Sequence, residues 1–233
     1  MKSIRKILGI SLAALLPAVS VQAQKVEVSA GADFKNKYLG AVGIEFEQEP
    51  VAQSWISANS NGFYGTLWTN FNRRTGLSEI DYIAGVQREL GEMNIDLSYA
   101  FYDLRELGEF SLNDNLQDLV VSATPARELP VTPRVKVTQN LDGDTFPNEH
   151  GRMFEAGMTY SRDVSRVPVT IDAGVVINNG YYSPNTELST GTVKVSTPFG
   201  VKKFTITPAV KVQKGFNGAE NNSELSVGTS YNF

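Results

Sequence analysis

The residues of this sequence that could do chemistry are mostly carboxylates and cations set at every second position of apolar stretches. Arg134 and Lys136 flank Val135, and Asp172 follows Ile171 in the same manner. Because successive side chains of a β-strand point to opposite faces, this spacing gathers the charges on one face. Such a face can orient polar solutes or pair its charges internally. The residues selected in this way are Arg134, Lys136, Lys194, Lys211, Asp33, Asp81, Asp96, Glu155 and Asp172.

Histidine and cysteine chemistry is nearly absent from the chain. There is no Cys, which excludes disulfides, thiolate metal sites and cysteine nucleophiles, and His150 is the single histidine. His150 lies in an acidic stretch with Asp142, Asp144 and Glu149, whose spacing does not fit a helix-flanked calcium loop. Glycine-rich phosphate loops are also missing. We therefore expect no enzyme, no cofactor and no metal site.

The elements that position the charged face are predicted to be β-strands throughout. Period-two alternation recurs along the chain, and Leu225, Val227, Thr229 and Tyr231 show it most clearly, opposed by polar residues. Amphipathic helix periodicity is hard to find after residue 24. The twelve predicted strands cover 25–38, 50–59, 62–71, 77–88, 92–103, 116–124, 131–141, 151–162, 167–179, 186–198, 202–214 and 222–233.

The links between these strands alternate between short turns and longer polar loops. Short links include 59–61 and 163–166, whereas 39–49, 104–115 and 142–150 are long; 72–76 is a short exception. Short turns on one rim and long loops on the other are typical of bacterial outer-membrane barrels. A soluble β-sandwich predicts no such asymmetry. We therefore predict an all-β fold, a single antiparallel transmembrane β-barrel of about twelve strands, with both termini periplasmic.

Composition agrees with a barrel and excludes other membrane and binding classes. The chain is 41% apolar with a mean hydropathy of −0.19, and no long apolar run follows the N-terminal segment, which excludes a helical membrane bundle. The net charge of −4 gives no field that attracts nucleic acid. Average hydropathy conceals the two faces of a barrel strand, because lipid-facing and lumen-facing residues alternate.

The N-terminal segment has the layout of a secretory signal peptide. Lys2, Arg5 and Lys6 precede the apolar stretch 7–16, and small residues stand at the positions before Gln24. We expect residues 1–23 to be the signal peptide and residues 24–233 the outer-membrane β-barrel. The chain is then exported through the periplasm to the cell outer membrane of a Gram-negative bacterium.

The last predicted strand resembles the C-terminal assembly signal of bacterial outer-membrane barrels. Tyr231 and Phe233 close a five-position alternation of apolar residues in an exported chain without Cys. The resemblance implies a partner, the barrel-assembly machinery, which would pair with this strand. Outer-membrane lipid is the second expected partner.

The N-terminal third carries a narrower pattern. Asp33-Phe34, Leu39-Gly40, Pro50-Val51-Ala52-Gln53 and Gly62-Phe63-Tyr64-Gly65, followed by Trp68, are similar to the TorF family of proteobacterial porin-like proteins. The family has an Arg-Gly step where this chain has Leu39-Gly40, with Lys37 nearby. The resemblance covers about residues 25–105 and implies an outer-membrane channel without fixing its substrate.

Three functions are compatible with these patterns. The first is a porin-like channel for passive diffusion of small hydrophilic solutes, lined by the charged residues named above. The second is a non-conducting structural or surface-recognition barrel, with Tyr181, Tyr182 and Phe216 as contact residues in its long loops. The third and least favoured is a barrel-borne hydrolase with His150 as base, since no serine lies two residues after it.

Overall fold

The computed structural model describes residues 25–41, 44–74, 76–104, 115–141, 150–182 and 186–233. The predicted signal peptide and the acidic residues Asp142, Asp144 and Glu149 lie outside these ranges. No helix among the described residues is long and apolar enough to cross a membrane.

A closed antiparallel β-barrel of twelve strands forms the body of the molecule, as the alternation predicted. Neighbours in sequence pair around the sheet, and the pairings β12–β14 and β15–β1 complete the ring. Three short strands, β2, β3 and β13, are additional to the twelve. The strands are β1 (Glu27–Lys35), β2 (Tyr38–Leu39), β3 (Glu45–Glu47), β4 (Val51–Ser60), β5 (Phe63–Asn72), β6 (Gly76–Leu90), β7 (Met93–Leu104), β8 (Leu116–Pro125), β9 (Val131–Asn140), β10 (Arg152–Val164), β11 (Val167–Asn179), β12 (Thr186–Ser196), β13 (Phe199–Val201), β14 (Phe204–Gly215) and β15 (Asn222–Asn232).

The short-turn rim of the barrel is built from tight hairpins. Asn61 and Gly62 connect β4 to β5 with φ values of 52° and 74°, and Ser165 and Arg166 connect β10 to β11 with 51° and 70°. Two consecutive left-handed residues match the twist of the flanking strands. A Cβ on Gly62 would lie 2.4 Å from the Gln87 carbonyl oxygen, so glycine is required there.

The outer wall of the barrel is apolar. Large hydrophobic side chains are exposed on alternate positions of every long strand, the reverse of a water-soluble core. A closed sheet satisfies its backbone hydrogen bonds internally, so this surface suits lipid. Exposed residues of this wall include Phe34, Ile56, Leu67, Tyr82, Leu119, Val135, Phe154, Val175, Val210 and Val227.

The inner face is polar and interconnected. The Gln53 side-chain amide donates to Asn70 Oδ1 at 3.0 Å, and the Asn70 amide donates to Ser78 Oγ at 2.8 Å. These three residues come from three neighbouring strands and are almost fully buried. Buried amides and hydroxyls are stable where they bond to one another.

Candidate functional site in the barrel lumen

The charged residues selected from the sequence all lie on strand positions that face the lumen. Exposed Phe34 and Val135 point to lipid, so their neighbours Asp33, Arg134 and Lys136 point inward. Strand register extends this parity around the barrel. It pairs Lys136 with Glu155, Asp172 with Lys194 and Lys194 with Lys211 on one side, and it sets Asp81 and Asp96 inward on β6 and β7.

One side of the lumen consists of paired charges, and we call it the paired wall: Lys35, Arg134, Lys136, Glu155, Asp172 and Glu224. Arg134 Nη1 lies 3.1 Å from Asp172 Oδ1, Lys35 Nζ lies 3.7 Å from Glu224 Oε1, and Lys136 is bonded to Glu155. Each cation therefore has a carboxylate on a neighbouring or nearby strand. The six ions of the paired wall balance one another, and Lys194 and Lys211 lie beside them as further cations.

The guanidinium of Arg134 lies beside two glycines of β10 and β11, Gly157 and Gly174. A Cβ built on Gly157 would lie 3.1 Å from Arg134 Cζ, and one on Gly174 would lie 3.7 Å from its Nη2. The same guanidinium donates to Thr159 Oγ1 at 3.1 Å, and Thr159 donates to Asp172 at 2.6 Å. Glycine in these strands provides the room for this side chain to lie along the wall.

A second group of lumen residues consists of tyrosines and carboxyl groups. We call it the tyrosine–carboxyl cluster: Tyr38, Glu79, Asp81, Tyr102, Asp118, Tyr181 and Tyr182. Glu79, Asp81 and Asp118 are at most 8% exposed. The Tyr181 hydroxyl donates to Asp118 Oδ2 at 2.5 Å, and the Tyr181 and Tyr182 rings are 4.6 Å apart. Glu79 and Asp81 interact with each other, and Tyr38 contacts Glu79. These carboxyl groups are therefore held by hydroxyls and by one another.

The two loop tyrosines of this cluster remain protonated at neutral pH. Burial raises the pKa of the Tyr181 hydroxyl well above its usual value, and the neighbouring Tyr182 and Asp118 raise it further. Burial also raises the pKa of Tyr182, followed by the charges of Asp118 and Glu79. Both side chains are thus hydrogen-bond donors in this site.

The chain after β1 does not remain outside the barrel but enters the lumen. We call Tyr38–Ala41 and Ile44–Glu47 the inserted segment, in which β2 pairs with β3. Inward side chains of the barrel bind its backbone: Thr190 Oγ1 donates to the Ala41 carbonyl at 2.6 Å and the Gln213 amide donates to the Gly40 carbonyl at 3.3 Å. The inserted segment therefore narrows the lumen from within.

Aromatic and apolar contacts hold the other face of the inserted segment. Tyr38 lies 5.1 Å from Phe46 and 6.0 Å from Trp68 between ring centroids. Part of the segment packs against a buried group within the barrel. That group consists of Leu104, Leu116, Met153, Val176 and Tyr181.

Two expectations about the loops are wrong. The link 39–49 was expected to be a long polar loop, but much of it lies inside the lumen as the inserted segment. Tyr181 and Tyr182 were expected to be loop contact residues for a recognition surface, yet Tyr181 is only 2% exposed and its hydroxyl binds Asp118. Phe216 is exposed, as expected for a rim aromatic.

The TorF-like motif residues are distributed between the barrel wall, its lumen and the inserted segment. Gln53 and Tyr64 face the lumen, where Tyr64 donates to Asp96 Oδ1 at 3.0 Å. Trp68 contacts Tyr38, and Lys211 Nζ donates to the Leu39 carbonyl at 3.5 Å. Several motif residues therefore make structural contacts in this barrel. Membership of the TorF family stays a prediction.

His150 is exposed at the rim, and its backbone carbonyl accepts a hydrogen bond from Gln139. Its φ of 66° places it in a left-handed turn. Among the residues that the structure describes, no cluster of three or more His, Asp or Glu side chains has a geometry that could hold a metal ion.

Comparisons of structure identify barrels of the same architecture. The chain is similar to the KdgM porin, with 12% identity, a TM-score of 0.58, and coverage of 89% of this chain and 99% of that one. It is similar to the COG4313 outer membrane channel from Pseudomonas putida F1, with 9% identity, a TM-score of 0.56, and coverage of 93% and 100%. The NanC porin gives 8% identity, a TM-score of 0.52, and coverage of 88% and 98%.

No protein-family model and no curated protein matches the sequence. Structural likeness at such low identity establishes the fold. Together with the apolar outer wall and polar lumen, it shows that the chain is an outer-membrane β-barrel with the architecture of porins and channels.

Proposed function

We propose that this protein is an outer-membrane channel for passive diffusion of small hydrophilic solutes. The single observation that carries the proposal is the closed barrel whose interior is lined by charged side chains of both signs. The paired wall and the tyrosine–carboxyl cluster face a common lumen, and such an arrangement orients polar solutes in a transverse field. Arg134, Lys136, Lys194, Lys211, Asp33, Asp81, Asp96, Glu155 and Asp172 are the proposed pore-lining residues.

The inserted segment sets the size of this channel. Tyr38 and Leu39 occupy space between the β5–β6 side and the β14 side of the barrel, as their contacts with Trp68 and Lys211 show. A lumen divided in this way admits small solutes and excludes large ones. We therefore propose a narrow, selective path rather than a wide general pore.

One observation favours the second candidate function, a non-conducting barrel. The buried group around Leu104, Met153 and Tyr181 packs against the inserted segment as a small apolar core inside the lumen. A core of this kind would close the path if it has no polar passage beside it.

Planar-bilayer recording separates the two functions. The purified folded barrel is compared with a variant in which residues 38–47 are replaced by a flexible Gly-Ser linker. For a channel narrowed by the inserted segment, we expect small single-channel steps from the unaltered protein and several-fold larger steps from the variant. Conductance of the variant alone would identify a closed barrel, and no conductance from either would overturn the channel.

A matched control isolates the role of the inserted segment. Arg127→Gly with Glu128→Gly alters the exposed link between β8 and β9 on the opposite rim, far from the lumen contacts. This variant should retain the conductance of the unaltered protein. Heat-modifiable gel mobility verifies that each barrel is folded.

We also propose that the exported chain loses residues 1–23 and is inserted by the barrel-assembly machinery through β15. The exposure of Phe233, 68%, and its position beside Tyr231 at 4.8 Å support this partner. Phe233→Ser should slow the appearance of heat-modifiable barrel in cells. Phe199→Ser, at another exposed aromatic, should not, and equal slowing by both would contradict the proposal.

A further inference from the structure

A cavity in the tyrosine–carboxyl cluster is the most specific feature of the lumen. Its volume is about 150 Å³, and it lies between the inserted segment and the strands β6–β10. This volume is sufficient for a ligand of a few non-hydrogen atoms. The aromatic and carboxyl residues among its lining are Tyr38, Phe46, Tyr102, Tyr181, Tyr182, Glu79 and Asp118.

Glu79 and Asp118 line the cavity, and each has one carboxyl oxygen that receives no hydrogen bond from a described residue. Oε2 of Glu79 and Oδ1 of Asp118 are buried and accept no hydrogen bond from any described residue. The two residues are 5% and 1% exposed, so water outside the barrel does not reach them. The hydroxyls and carboxyl groups around them satisfy only part of each group, and an incompletely paired buried carboxylate is costly unless a cation or a proton compensates its charge. A cation in this cavity would compensate them.

The residues that line the cavity favour an organic ammonium ion over a metal ion. Several aromatic rings line the cavity, and faces of aromatic rings attract organic ammonium groups. A bare metal ion needs several converging oxygen ligands, and no such cluster occurs among the described residues. Lys136 is the only cation among the described lining residues, and its ammonium group is bound to Glu155.

From these observations we propose that the cavity binds a small organic ammonium ion, with Asp118 and Glu79 supplying the charge and the tyrosine rings the walls. The inference rests on the proposed channel, since a site beside the inserted segment lies on the solute path and makes small amines the preferred solute class. Binding is nevertheless measurable in a barrel that does not conduct.

The test uses the full folded barrel in detergent micelles with tetramethylammonium as the probe. Trp68 lies 6.0 Å from Tyr38 and therefore reports on the cavity by its fluorescence, while calorimetry gives the affinity independently. We expect saturable binding of tetramethylammonium and at least about tenfold weaker binding of tert-butanol, which has a similar size and no charge. Equal binding of both, or no binding of the ion, would overturn the proposal.

Two variants locate the site. Asp118→Asn keeps the shape of the side chain and should weaken tetramethylammonium at least about tenfold, because the carboxylate charge is lost. Asp163→Asn is the matched control: Asp163 is an exposed carboxylate near the end of β10 and does not line the cavity. It should leave the affinity unchanged, and loss of binding in both variants would show a general charge effect instead. Failure of binding with conductance intact would refute this inference alone.

Discussion

The two sides of the lumen solve the problem of buried charge differently. On the paired wall, Arg134 and Lys136 each lie against a carboxylate on a nearby strand. In the tyrosine–carboxyl cluster, Asp118 and Glu79 are held by tyrosine hydroxyls and by Asp81. The first arrangement places a cation against each carboxylate, whereas the second surrounds its carboxyl groups with hydroxyls and with one another. The carboxyl groups of the paired wall therefore depend on neighbouring cations, whereas those of the cluster depend on hydroxyl groups and on one another.

The largest effect is expected when the cations are removed together. Neutralising Arg134, Lys136, Lys194 and Lys211 to Gln or Met removes four positive charges and leaves Asp172 and Glu155 without their cations, so the net charge of the lumen becomes more acidic. The ratio of cation to anion permeability should rise several-fold. Reversal potentials in a salt gradient measure this ratio, and an unchanged ratio would show that these side chains do not line the path.

Removal of a single cation from the paired wall should lower the free energy of unfolding. Lys136→Met removes the partner of Glu155 and a positive charge beside Asp118. Both members of the ion pair are partly exposed, so we expect a loss of about 1–2 kcal/mol in the free energy of unfolding. Denaturant unfolding followed by tryptophan fluorescence measures it.

Lys214→Met is the matched control for that change, because Lys214 is exposed on the outer side of β14, away from the lumen. It should change the free energy of unfolding by less than about 0.5 kcal/mol. Equal losses of unfolding free energy in both variants would mean that the ion pair between Lys136 and Glu155 does not stabilise the barrel.

The cluster should respond in the opposite direction. Glu79→Gln removes one of two interacting buried carboxyls and keeps their shape, so the free energy of unfolding should stay constant or rise by about 0.5–1 kcal/mol. Asp172→Asn, its counterpart on the paired wall, should lower it, because Arg134 then loses its ion pair. The same unfolding assay compares them, and losses of equal size would remove the distinction between the two walls.

The smallest effect concerns the loop tyrosines at alkaline pH. Their folded pKa values are raised by burial, so their contribution to stability is complete below about pH 10 and declines as the pH rises above it. Ultraviolet absorbance of tyrosinate should show Tyr181 and Tyr182 ionising only as the barrel unfolds. The double variant Tyr181→Phe, Tyr182→Phe should reduce the amplitude of this late component, and an unchanged amplitude would contradict the prediction.

Strand architecture was predictable because its signal is local. Alternation at Arg134, Val135 and Lys136 reports the two faces of β9 within a few residues, and the barrel with its twelve strands is confirmed. Glu79 shares the parity of Asp81 and could have been found by the same rule. Asp118 was obscured, because its inward neighbours Leu116 and Val120 are apolar and blur the pattern.

The inserted segment could not be found in this way. Its position depends on bonds between residues far apart in the chain, such as Thr190 to Ala41 and Gln213 to Gly40, which no local pattern reports. A signal was nevertheless present: Tyr38, Ile44 and Phe46 are poor choices for a loop in water. Apolar residues in a link of this length indicate that it packs against something.

Closure of the barrel by β15 has a consequence for how the chain must fold. β1 pairs on one side with β4 and on the other with β15, so its second edge stays open until the last strand of the barrel has been exported. One edge of β14 also stays open until β15 pairs with it. Open edges pair readily with other chains, and contacts this distant in sequence form late. The unfinished barrel is therefore most vulnerable to aggregation and proteolysis in the interval before β15 pairs with β1 and β14.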